Sequence, residues 1–216
     1  MKKLIAAFLL VVMAVCFFST AAFAIDPELK EGEYSYTMLV PADGADDPPI
    51  FVYYLNEDGE AEIRDVFGTM YYLYMPSTIN GHKITAIADD AFSYVTSLQY
   101  IAVPRHVRSI GKYAFNGCSS LEEVVLPASL ESIGDHAFAN CVSLKTVNIP
   151  ENITEIPEYA FSCCLALTDV TMHDGIEAIG EKAFSMCMNL TELAVPEGAA
   201  VAEDAFENSA LADDAA

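Results

Sequence analysis

The chain has 216 residues, 53% of them hydrophobic, with 32 acidic against ten basic side chains and a formal net charge of −22 at pH 7. So acidic a surface excludes a nucleic-acid partner, because a phosphate backbone is held by Lys and Arg that displace its counterions. It also disfavours anionic lipid and keeps an exported chain soluble, while suiting a basic partner.

At the amino terminus Lys2 and Lys3 precede an apolar run from Leu4 to Phe18, followed by Ser19, Thr20 and Ala22-Phe23-Ala24. A basic start, a short apolar core and an A-x-A end describe a secretory signal peptide over 1–24, cleaved near Ala24. The rival reading is an uncleaved anchor, the one case in which the chain would meet a membrane. Cleavage removes two of the ten basic residues and none of the 32 acids, leaving eight cations and a net charge of −24. Residues 25–50 are rich in Pro, Gly and Asp and read as an irregular polar segment. Residues 51–83 read as a β-hairpin cap with a degenerate first strand. Phe51–Leu55 and Ala61–Ile63 flank a turn at Asn56–Gly59, and "MYYLYMP" resembles a strand ending at Pro76.

From residue 84 an Ala-Phe pair recurs, with Phe92, Phe115, Phe138, Phe161, Phe184 and Phe206 spaced by 23, 23, 23, 23 and 22 residues. A fixed period of this length means stacked copies of one small unit, so residues 84–206 are expected to form a solenoid. In the first five copies an Ile lies four residues before the Ala (Val201 takes its place in the last), and a Leu follows the Phe by six. Then comes an alternating apolar pair, such as Val147 and Ile149 or Leu193 and Val195. Alternation of period two is a half-buried strand. Cys118, Cys141, Cys164 and Cys187 each lie three residues after a Phe and are expected to stack as small buried hydrophobes. The six Phe and these four Cys are the expected structural core. Cys163 stands one residue off the column. Residues 207–216 read as an acidic tail that covers the last layer before the end.

The register "IGxxAFxxCxxLxxVxIP" resembles the BspA-like leucine-rich repeat of secreted and surface bacterial proteins, with Ala88, Pro157 and Ala202 departing from its Gly and His173 from its Pro. The resemblance implies an α/β-type repeat solenoid, strand-rich with short helical or irregular turns, whose strands line one concave sheet. Outward residues would then form two columns. Tyr72, Tyr100, Glu123, Thr146, Asp169 and Glu192 make one, and Tyr74 and Asn148 belong to the other. Aromatic anchors with a polar tip favour interfaces, so the expected binding residues are Tyr72, Tyr74, Tyr100, Glu123, Thr146, Asn148, Asp169 and Glu192. The resemblance implies an exported protein that binds or adheres to another protein, such as a host matrix protein or another cell's surface protein. The alternative is a structural or self-assembly module of the envelope.

Catalysis finds no foothold. His82, His106, His136 and His173 occupy different repeat positions without metal-ligand spacing, and no Gly-x-Ser-x-Gly or phosphate loop occurs. No catalytic residue, metal site or cofactor is expected, and the chain is not read as an enzyme.

Overall fold

The structure is a computed structural model and describes residues 34–38 and 49–211. The signal segment, the cleavage position and the last five residues of the tail lie outside the described residues. The first strands are β1 (Tyr34–Met38), β2 (Ile50–Leu55), β3 (Ala61–Phe67), β4 (Tyr72–Tyr74), β5 (Thr78–Ile79) and β6 (His82–Ile87). β1, within the segment read as irregular, pairs antiparallel with β2. β2 and β3 form an antiparallel hairpin with a bulge at Val52/Tyr53. Its turn is held by Asn56, whose Oδ1 accepts from the N–H groups of Asp58 and Glu60, and by Gly59 at φ 71°, where L side chains are strained. β3 then pairs parallel with β6, so the hairpin leads directly into the coils.

Five coils and part of a sixth follow. Each complete early coil has two strands: β7 (Tyr100–Ala102), β8 (Ser109–Ile110), β9 (Glu123–Val125), β10 (Ser132–Ile133), β11 (Thr146–Asn148), β12 (Glu155–Ile156), β13 (Asp169–Thr171), β14 (Ala178–Ile179) and β15 (Ala200–Val201). The longer strands stack as one parallel sheet in the order β13-β11-β9-β7-β4. The two-residue strands stack on another side, and there the ladder breaks: β8 and β10 end a seven-stranded sheet, while β12, β14 and β15 form a separate one.

The break has a covalent cause. Elsewhere the residue after each short strand donates its N–H to the Ile one coil earlier, as Gly134 does to Ile110 (2.8 Å), Gly180 to Ile156 (2.8 Å) and Ala202 to Ile179 (2.9 Å). After β12 that residue is Pro157, which has no N–H to give.

No helix occurs among the described residues, which corrects the α/β expectation. The Ala-Phe segment is a ladder of turns instead. Tyr113 (φ 56°), His136 (φ 57°), Tyr159 (φ 55°) and Lys182 (φ 52°), two residues before Phe115, Phe138, Phe161 and Phe184, are left-handed, and so are Gly117, Asn140, Cys163 and Met186 two residues after. Alternation of hand points successive N–H groups in opposite directions, so an i→i−4 ladder cannot form. One set closes turns within the coil, as Asn116 does to Tyr113 (3.0 Å). The other reaches the next coil, as Tyr113, Phe115 and Gly117 do to Asp135, Ala137 and Ala139 at 3.0, 2.7 and 2.8 Å. Left-handed backbone costs a non-Gly residue about 1–2 kcal/mol. The inter-coil bonds, about 1 kcal/mol net each, offset part of this.

The core runs along the axis. Phe92, Phe115, Phe138, Phe161 and Phe184 are fully buried, with ring centroids 4.9, 5.1, 5.4 and 5.4 Å apart and nearly parallel planes. Phe206 lies 6.0 Å beyond Phe184 and is only half-buried, because no further coil covers it among the described residues. Beside the rings the four column thiols each donate to the carbonyl of the Phe one coil back: Cys118 to Phe92 (3.1 Å), Cys141 to Phe115 (3.2 Å), Cys164 to Phe138 (3.3 Å) and Cys187 to Phe161 (3.2 Å). His173, standing where other coils have Pro, holds the strand end differently. Its Nε2 lies 3.1 and 3.0 Å from the carbonyls of Pro150 and Ile153 while Gly175 N–H donates to its Nδ1, so Nε2 carries the proton.

Coil spacing depends on the repeat glycine. A Cβ on Gly134 would meet Gly111 C and Lys112 N, both backbone, at 2.5 Å. Overpacking against backbone costs on the order of 1–3 kcal/mol or more. Gly134→Ala is therefore expected to lower stability by about 3 kcal/mol. Gly81→Ala, with open space around its Cβ, is expected to cost only the strain of its positive φ, about 1 kcal/mol. Equal urea midpoints for the two variants would refute this account of the spacing.

Candidate functional site

The five-stranded sheet presents its alternate side chains to solvent: in β4, β9, β11 and β13 the middle residue is buried and the two beside it are exposed. Parallel pairing without slippage aligns them. Tyr72 lies opposite Tyr100, Tyr100 opposite Glu123, Glu123 opposite Thr146, and Thr146 opposite Asp169. In the second column Tyr74 faces Ala102, Ala102 faces Val125, and Asn148 faces Thr171.

The structure therefore brings Tyr72, Tyr74, Tyr100, Glu123, Thr146, Asn148 and Asp169 onto one face. Glu192 is not part of the sheet. Residues 191–196 form no strand, although Leu193 and Val195 carry the strand pattern. The physical reason is the end position. Among the described residues no coil lies beyond to bury the pair, so Leu193 is half-buried and Val195 is 38% exposed, and little apolar burial remains to fix the segment.

The tyrosines concentrate at one end. Tyr72 is 68% and Tyr74 is 72% exposed, with Tyr71 beside them. The Tyr74 ring centroid is 5.1 Å from that of Tyr100, at 44° between planes. Partial desolvation, then Tyr74 and the Glu123 carboxylate, raise the Tyr100 phenol above its ordinary pKa. Tyr100 is thus half-buried in a corner between an aromatic ring and a carboxylate.

A second surface column escaped the sequence reading. Tyr113, His136 and Tyr159, the left-handed residues before three successive Phe, stack at 4.5 Å with planes 16° and 7° apart. Lys182 ends the row with Nζ 5.7 Å from the Tyr159 centroid and with ion pairs to Glu207 (3.4 Å) and Asp204 (4.0 Å). The signal was available at the same 23-residue spacing, but the four residue types differ. The histidines stay apart: His82 Nδ1 bonds the Gly59 carbonyl and His106 Nε2 accepts from Arg105. Among the described residues no group of three or more His, Cys, Asp or Glu converges where a metal ion would sit.

The BspA type leucine rich repeat region model matches residues 85–212 in six copies. Among solved structures, the chain is similar to the leucine rich repeat protein of T. pallidum at 28% identity and a TM-score of 0.56, over 74% of this chain and 84% of that one. A leucine rich cell surface protein of Faecalibacterium prausnitzii aligns at 26% identity and a TM-score of 0.58, over 74% of this chain and 53% of that one. The pneumococcal vaccine antigen PcpA shares the fold at 20% identity and a TM-score of 0.63, over 84% of this chain and 49% of that one. Against curated proteins nothing matches.

Proposed function

Because this chain belongs to the BspA-type leucine-rich repeat family, we propose that it is an exported, non-catalytic protein that binds another protein across the outward face of its five-stranded sheet. The observation that carries this reading is the tyrosine end of that sheet. Large aromatic rings more than two-thirds exposed, as at Tyr72 and Tyr74, lose apolar hydration only when covered by a partner. Tyrosine buries much area with little side-chain entropy to lose. The sheet beneath them is held by a parallel ladder and a stacked Phe core, so the rings are presented without rearrangement. The relative from Faecalibacterium is described as a cell surface protein. The apolar, A-x-A-ended start of this chain supports the same destination.

The test is capture. The mature protein is immobilised and exposed to surface and matrix proteins of neighbouring cells, and the bound protein is titrated against wild type and against a Tyr72→Ala, Tyr74→Ala, Tyr100→Ala variant. An aromatic anchor at the centre of an interface is worth roughly 2 kcal/mol or more, so if even one of the three anchors the partner, affinity is expected to fall by more than about 30-fold, with the melting temperature nearly unchanged. Undiminished capture by the folded triple variant would remove the face from the function.

A further inference from the structure

The tyrosine corner says more than that a partner is bound. Of the ten outward residues of β4, β7, β9, β11 and β13, none is Lys or Arg, while Glu123 and Asp169 are acidic. Five of the cations among the described residues are spent in ion pairs elsewhere: Arg64 on Glu62, Arg108 on Glu60, Lys112 on Asp135, Lys145 on Glu122, and Lys182 on Asp204 and Glu207. Lys145, which precedes β11, pairs with Glu122, and among the described residues Glu123, one residue on, has no ion-pair partner. Glu123 lies in register with Tyr100, and the Tyr100 ring meets Tyr74 at 5.1 Å with a 44° tilt. The tilt makes an open aromatic corner with a carboxylate at its edge.

Such a corner suits one chemistry. An aromatic face attracts a cation through its quadrupole, and guanidinium groups stack on it as well as pair with carboxylates. Neutral polar groups gain from neither. A net charge of −22 adds long-range attraction for the same partners.

Resting on the reading that this face binds protein, we propose that Tyr74, Tyr100 and Glu123 form a site for an arginine or lysine side chain on a basic segment of the partner. The ring pair receives the cation and Glu123 neutralises it. Tyr72 and Asp169, on the same column, extend the contact to flanking residues of that segment.

The experiment titrates the mature protein with an arginine-rich 12-residue peptide and with the same peptide carrying citrulline, which keeps the shape and loses the charge. The arginine peptide is expected to bind at least about tenfold more tightly. Tyr74→Ala with Tyr100→Ala should weaken it about tenfold or more, and Glu123→Gln about threefold to tenfold. Tyr74→Phe with Tyr100→Phe keeps the ring faces and should keep the affinity. Glu155→Gln, on the separate short-strand sheet, should change nothing. Equal losses from Glu155→Gln and Glu123→Gln would show diffuse acidity and overturn the site, as would indifference to the ring substitutions or to citrulline. If neither peptide binds while the tyrosine-dependent capture described above persists, the cation site falls and the protein-binding face stands.

Discussion

Phe138→Ala is expected to lower the unfolding free energy by about 3–5 kcal/mol, seen as a reduced urea midpoint. Phe138 is wholly inaccessible to solvent and lies between Phe115 at 5.1 Å and Phe161 at 5.4 Å. Removing the ring exposes two flat faces that have no other partner. The neighbouring coils cannot close over the void, because their spacing is set by bonds such as Phe138 N–H to Ala160 O at 2.8 Å. The cavity term is therefore retained nearly in full. Phe206→Ala gives the contrast. That ring is half-buried with one stacked neighbour, and its removal should cost about 1 kcal/mol. Equal costs at both positions would refute a continuous ring core whose end layer is weak.

The second large effect is alkaline. Burial pushes the thiols of Cys118 and Cys187 from 9.0 up to about 12, and those of Cys141 and Cys164 well above 9.0. In the unfolded chain these thiols lose their protons near their ordinary value; in the native chain they hold them. Above about pH 9 the unfolded state therefore binds fewer protons, and stability falls as pH rises. Their contribution is fully present below pH 9 and is lost progressively toward pH 12. At 1.36 kcal/mol per pH unit, that window amounts to about 4 kcal/mol for each of the two. Two such thiols approach the whole stability of an ordinary domain, roughly 5–15 kcal/mol. The protein is thus expected to unfold before pH 12, with urea midpoints declining steadily from pH 9. Cys118→Ala with Cys187→Ala should be less stable at pH 7 but show a shallower decline. A slope indifferent to the double substitution would assign the alkaline loss to other groups.

Much of this was legible in the residues. The Phe and Cys columns repeat one residue type at one spacing, and burial follows from a face no single copy can cover alone. The two outward columns were legible for the same reason, since strand alternation and an unslipped register leave no freedom. The turn around each Ala-Phe pair was not. Tyr94, Asn140, Cys163 and Met186 share a left-handed backbone that only Gly117 and Asn140 suggest by type, too few in a column of differing residues to mark a turn against a short helix. The Tyr113–His136–Tyr159–Lys182 row was hidden because stacking asks for flat or cationic groups and not for one residue. Leu193 and Val195 misled in the other direction. Their local pattern matches a strand, but a strand at the end of a stack has half the neighbours, and position overrides pattern.

The proline after β12 has a mechanical meaning. Between the coils of Phe138 and Phe161 the short-strand side has no ladder, while on the other side β11 and β13 keep three residues in register and the two rings remain stacked. A rod built this way is notched on one side. Its bending stiffness is lowest at the notch and lowest in the direction that opens it, so flexing is channelled to one plane. Tyr72 and Tyr74 sit on one arm of that notch and Asp169 on the other, and a partner long enough to span both would meet a surface with one adjustable angle.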